Sequence, residues 1–184
     1  MVGFVADGKE TITYCQFDSY PSGVGADVLE WANGITDWDA VKVRAAAIVH
    51  VDDDTPPTVD QEANLLTTAD YTVDNDRDKP SWYQVLRGTH GDPEAILKVG
   101  HAAHDPSWPG DSLFCEWGYM VDLDTGVLEV YRGFQTRPHK SGRFTDRPRT
   151  NGYYPIKLVA SWPLADLPIR DAFLAALGPI ENEE

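Results

Sequence analysis

The sequence predicts a single-domain α+β protein: an antiparallel β-sheet built from hairpins, with several short helices packed on it. Three observations carry this prediction. Two stretches alternate apolar and polar residues around tight-turn signals, as hairpin strands do. Five other stretches place apolar residues at helical spacing, several between recognisable caps. The hairpins are not separated by single helices in the repeated order that a doubly wound parallel sheet needs. A chain of 184 residues with six Trp and eight Tyr can bury one sizeable core. The domain is expected over residues 1–180, with 181–184, "ENEE", as a frayed acidic tail.

"GFVADGKETITYCQF" reads as the first hairpin, because Asp7-Gly8 suits a turn with positive φ at both positions. "VGADVLEWA" follows as a helix. A second helix is predicted in "TDWDAVKVRAAAIVHV", where Trp38, Val41, Ala45, Ile48 and Val49 form one stripe and Thr36 or Asp37 can cap it. Residues 52–78 hold nine Asp or Glu against Arg77 alone, which predicts a poorly ordered stretch. "PSWYQVLRG" and "GDPEAILKVG" read as short helices, the second with Asp92 at the N-cap, Pro93 at the first helical position and Gly100 past the end. In "LFCEWGYMVDLDTGVLEVYRG", Cys115, Trp117, Tyr119 and Val121 share a strand face, and "DLDTG" turns the chain into Val127–Arg132. "YYPIKLVASW" is a further strand. "LPIRDAFLAALGP" is a terminal helix between Pro168 and Gly178.

A net charge of −15 disfavours nonspecific binding to nucleic acid or to an anionic membrane. No apolar run is long enough to span a bilayer and no basic-then-apolar leader opens the chain, which predicts a cytoplasmic protein. The charge is unevenly spread. Residues 132–149, "RGFQTRPHKSGRFTDRPR", contain Arg132, Arg137, Lys140, Arg143, Arg147 and Arg149, six of the fifteen Lys and Arg, with one acid, Asp146. Cations so crowded need anions nearby, either the Asp-rich segment or an external ligand. The ligand reading names Arg132, Arg137, His139, Lys140, Arg143 and Arg147 as binding residues, with Phe134, His139 and Phe144 as rings able to stack on a base or sugar.

"TYCQFDSYPSGVG" asks whether Cys15 is a nucleophile. A reactive thiolate needs a helix N-terminus or a cation, and acyl transfer adds a histidine base. No histidine is near Cys15 in sequence, so the expected role is a small buried side chain at a corner. There Asp18 and Ser19 bond the turn backbone, and Pro21, Gly23 and Gly25 set its dihedrals. His90, His101, His104 and Asp105 cluster in sequence, and His101 and His104 can share a metal if their segment is helical. Gly100 and Pro106 argue against that helix, so no metal and no cofactor is expected. Dinucleotide, Walker, nucleophile-elbow and zinc-helix motifs are all missing.

"TYCQFDSYPSGVG" and "SLFCEWGYMVDLDTGVLEVYRGFQ" resemble stretches of a set of small uncharacterised proteins from actinobacteria, other bacteria and their phages. The resemblance implies a bacterial or phage origin and membership of that set, and no reaction. It also implies that an amide often stands at the position of Cys15, which is no support for cysteine chemistry. Three function classes follow. The first is a binding or regulatory protein whose basic loop takes an anionic small molecule or a protein partner through Arg forks. The second is a hydrolase with a site near that loop, using Asp18, His139 or His101/His104. The third is an acidic inhibitor that mimics nucleic acid through residues 52–78.

Overall fold

The computed structural model describes residues 1–15, 19–52, 54–69 and 81–178. β1 (Val2–Ala6) and β2 (Lys9–Thr13) form the first hairpin. Its turn has positive φ at Asp7 (52°) and Gly8 (73°), the backbone a two-residue turn of right-twisted strands requires. A wide turn at Pro21–Gly25 leads into α1 (Ala26–Asn33). In α2 (Trp38–Ala46) the Asp37 carboxylate accepts from Ala40 N–H. There follow β3 (Val49–Val51), α3 (Val59–Ala69), α4 (Trp82–Leu86) and α5 (Pro93–Val99). The chain continues with β4 (His101–Ala103), β5 (Trp117–Asp122), β6 (Val127–Arg132), β7 (Lys157–Pro163) and α6 (Arg170–Leu177). The punctuation of α5 is as expected: Asp92 accepts from Ala95 N–H, and Gly100 closes the helix at φ 66°.

The main sheet runs β2-β1-β5-β6-β7. The fold is α+β and contains both hairpins, but its sheet is mixed rather than wholly antiparallel. β1 and β5 pair in parallel, with Val2 opposite Tyr119. Between them the chain makes a long excursion that includes α1 to α5, which lets it re-enter the sheet in its original direction. β3 and β4 pair in parallel as a separate two-stranded sheet.

Alternation along the strands gives the main sheet two buried faces. Phe4, Tyr119, Val121 and Val130 pack against α1, α2, α5 and α6 through Leu29, Val41, Ile96 and Phe173. Val5, Ile12, Met120 and Tyr131 face the other way, and irregular chain covers them through Cys115, Phe144 and Ile156. Cys115 therefore lies in a different core from Trp117, Tyr119 and Val121, because β5 begins at Trp117 and Cys115 precedes the alternation.

Two other expectations change. α2 stops at Ala46, so Ile48 and Val49 leave its stripe and Val49 starts β3. Three consecutive alanines keep the helical period ambiguous there, and β-branched Val49 and Val51 take the extended form. The acidic segment contains α3, held at its start by a reciprocal cap: Thr58 N–H donates to Gln61 Oε1 at 2.9 Å and Gln61 N–H to Thr58 Oγ1 at 3.2 Å. "TVDQ" is a capping-box sequence, and Asp60 and Glu62 in the first turn suit the positive end of the helix. Leu65 then joins Trp82, Val85 and Leu86 in a small third core. Asp53, residues 70–80 with Arg77, and the tail 179–184 lie outside the described residues.

Candidate functional site

The basic segment 132–149 is a strap laid across the second face of the sheet, and β6 sets its start. At the exit of β6, Gly133 N–H donates to Glu116 O, Phe134 N–H to Ser112 O and Gln135 N–H to Ser112 Oγ. A side chain at Gly133 would place its Cβ 2.3 Å from Cys115 O, so only glycine lets the strap approach this closely. Farther on, Gly142, at φ 90°, lets the chain pass over the Tyr131 ring. Phe144 then inserts fully buried, its ring centroid 4.8 Å from that of Tyr131.

The cations of the strap divide into two groups. Arg143 reaches down to the sheet: its Nη2 lies 2.5 Å from Asp122 Oδ2 and its Nε 2.8 Å from Glu129 Oε2. Tyr131 OH donates to the same Glu129 oxygen at 2.8 Å. Burial works against ionising Asp122, yet the Arg143 hydrogen bond and the Thr125 N–H outweigh it and hold that carboxyl below its usual range. Burial likewise disfavours the Arg143 cation, but Glu129 and Asp122 more than compensate and push its pKa up. Arg147 Nη2 sits 2.5 Å from Glu10 Oε2 on β2. Arg149 donates to Gly152 O at 2.6 Å and lies 4.1 Å over the Tyr154 ring. Arg132 lies 5.8 Å over Trp117.

Among the described residues, the carboxylates that pair with strap cations are thus Asp122 and Glu129, under Arg143, and Glu10, under Arg147, all three on the main sheet. His139 is held by backbone on both sides: Nε2 donates to Pro155 O at 2.8 Å, and Nδ1 accepts from Ser141 N–H at 3.3 Å. Phe144, expected as a stacking ring, is core instead. Arg137 and Lys140 differ from the rest. Both are exposed, and neither makes an ion pair among the described residues. On the same strap Phe134 is 47% exposed and adopts φ 54°, a left-handed backbone that costs a side-chain-bearing residue about 1–2 kcal/mol. Phe114, two residues beyond the Ser112 that anchors Phe134, is 64% exposed. Sequence reasoning passed over Phe114 because a strand alternation drawn through Cys115 assigns it no role. It also passed over Asp122 and Glu129, whose partner is distant in the chain.

The histidines disperse. His101 opens β4 and stacks on Trp82, with centroids 5.7 Å apart. His104, three residues on along an extended chain, points elsewhere and stacks on His50 at 4.2 Å. His90 sits between Tyr14 and Tyr83, its pKa lowered by burial and by Arg87. Among the described residues no three His, Cys, Asp or Glu side chains are grouped to hold a metal.

Cys15 is half-buried, and its Sγ packs against Gly91: a Cβ built there would lie 3.0 Å from the sulfur. Burial pushes the Cys115 thiol up to about 11. The corner after Cys15 is fixed from β5, where Tyr119 OH donates to Ser19 O at 2.8 Å. Gly25 leaves room for that hydroxyl, which a Cβ would approach to 2.6 Å. Asp18 lies outside the described residues. A groove of about 390 Å³ beside this corner is lined by Val24, Asp27, Glu30, Trp31 and the turn from His90 to Pro93.

No protein-family model, curated protein or solved structure matches the chain. No helix among the described residues is long and apolar enough to cross a membrane.

Proposed function

We propose that this is a binding protein that engages an acidic protein partner through the outer part of the strap, with Phe114 and Phe134 as apolar anchors and Arg137 and Lys140 as charge contacts. One observation carries the reading: Phe134 is held exposed in an unfavourable backbone conformation, on the same strap as Arg137 and Lys140, exposed cations that form no ion pair among the described residues. Strain retained on a surface aromatic is a feature of binding sites, where it presents the side chain rather than stabilising the fold. Exposed aromatic anchors ringed by charge are the composition of protein interfaces. The net negative charge of the chain repels acidic partners at long range, so recognition rests on these close contacts.

The test uses a synthetic peptide of alternating Glu and Tyr as a probe, read by fluorescence anisotropy. Arg137→Glu/Lys140→Glu is expected to weaken binding about tenfold or more, because each reversal puts like charges face to face. Phe134→Ala is expected to weaken it similarly through the lost anchor. Unchanged affinity in both variants overturns the reading.

A further inference from the structure

The small β3–β4 sheet meets the outer edge of β2 through two imidazoles. His104 Nδ1 accepts from Ile12 N–H at 3.0 Å, so the lone pair on that nitrogen is already used. His50 Nε2 lies 2.8 Å from Thr11 Oγ1. The two rings stack nearly parallel, 4.2 Å apart with an interplanar angle of 22°. The same seam holds the isolated bridge between Thr13 and His104 and the bond from Asp105 N–H to Ile12 O at 3.1 Å. Lys9 closes its other end by donating to Ala46 O at 3.2 Å and to Ile48 O. Without these contacts the outer edge of β2 would offer unpaired backbone groups.

We propose that the His50–His104 stack is a proton-operated latch, closed when both rings are neutral and released when His104 takes a proton at Nδ1. The geometry gives the reason. A proton on His104 Nδ1 removes the acceptor for Ile12 N–H and sets two donors against each other, and once His50 is also charged two cations face each other across 4.2 Å. The charged groups around the seam act in both directions. Lys9 on β2 and Arg147 on the strap oppose protonation; Glu10 on β2 and Asp105 after β4 favour it at His104. Glu10 is already paired with Arg147, which weakens its pull. Burial lowers His50 to about 4, assisted by His104 and Lys9, and burial also lowers His104. The closed state therefore binds protons less readily than the open one. The latch is fully closed above the free imidazole value of about 6.5 and loosens as pH falls from there.

Amide hydrogen exchange, corrected for the intrinsic pH dependence of exchange, tests this. Between about pH 7 and pH 5, protection at Ile12 and Asp105 is expected to fall about tenfold, while β5 and β6 hold theirs. His50→Gln/His104→Asn supplies oxygen acceptors near the positions of Nε2 and Nδ1 but does not titrate. In that variant the pH response at Ile12 and Asp105 is expected to vanish. Equal protection at both pH values in the wild type, or the same fall in the variant, overturns the latch. Should the variant not fold, ring-carbon NMR titration of the wild type decides: apparent pKa values for His50 and His104 at or above the free imidazole value overturn it, and lowered values support it.

Discussion

Arg143→Gln removes the cation that pairs with both Asp122 and Glu129. In the wild type the guanidinium side chain is 22% exposed and the Asp122 side chain 6%, so the site is nearly but not wholly dry. Breaking a buried ion pair by deleting one partner costs about 3–5 kcal/mol, because the other charge stays behind. Partial exposure of Arg143 reduces this to about 2–4 kcal/mol. For a chain of this size that corresponds to a fall in Tm of roughly 5–15 °C. The pH dependence gives a second, independent sign. In the wild type the Asp122 pKa is depressed, so its contribution is present above the usual carboxylate value and is lost as pH falls through the depressed one. In the variant only the Thr125 bonds still oppose burial, so the Asp122 pKa rises from its wild-type position, and the stability gap between variant and wild type narrows as acid protonates the orphaned carboxyl. Thermal unfolding at neutral and mildly acidic pH measures both effects. Asp122→Asn/Glu129→Gln/Arg143→Met, which leaves no charge behind, should recover most of the loss. A single variant that melts within about 2 °C of the wild type, or a gap that widens in acid, would refute the clamp.

Gly25→Ala drives a Cβ into the Tyr119 hydroxyl and should cost about 1–3 kcal/mol in chemical denaturation; combining it with Tyr119→Phe should cost less than the sum of the two single changes, and strict additivity would argue against the contact. Phe134→Gly relieves the left-handed backbone, so it should leave stability unchanged or raise it by up to about 1 kcal/mol while removing probe binding; a clear loss of stability would make Phe134 a structural residue. Cys15→Ser should lower stability by about 1 kcal/mol and leave probe affinity unchanged; a large loss of affinity in the folded variant would give the thiol a direct role.

The elements that local chemistry dictates were legible in the sequence. Asp7-Gly8, Asp37, and Asp92-Pro93 with Gly100 each name a turn or cap through their own backbone preferences, and each stands where expected. The parallel joint between β1 and β5 was not legible, because strand direction across a hundred-residue excursion leaves no local mark. α3 carried a readable signal in Thr58 and Gln61, outweighed by the acidic composition around it. The strap shows the limit most clearly. Its cation density was plain, but a guanidinium that serves the fold reads the same as one that serves a ligand. Only Asp122 and Glu129, brought under Arg143 by the register of β5 and β6, distinguish Arg143 from Arg137. His50 was likewise invisible as the partner of His104, since the two meet only when β3 pairs with β4.

The division of the strap into a clamp and a free face is tested most directly by mapping amide shifts in a nitrogen-15 NMR titration with the Glu-Tyr peptide. The account predicts shifts confined to Phe114, Phe134, Arg137, Lys140 and their neighbours, with Arg143 and the β5–β6 amides beneath it unmoved. Shifts centred on Arg143 and Arg147, or none at saturating peptide, would contradict it.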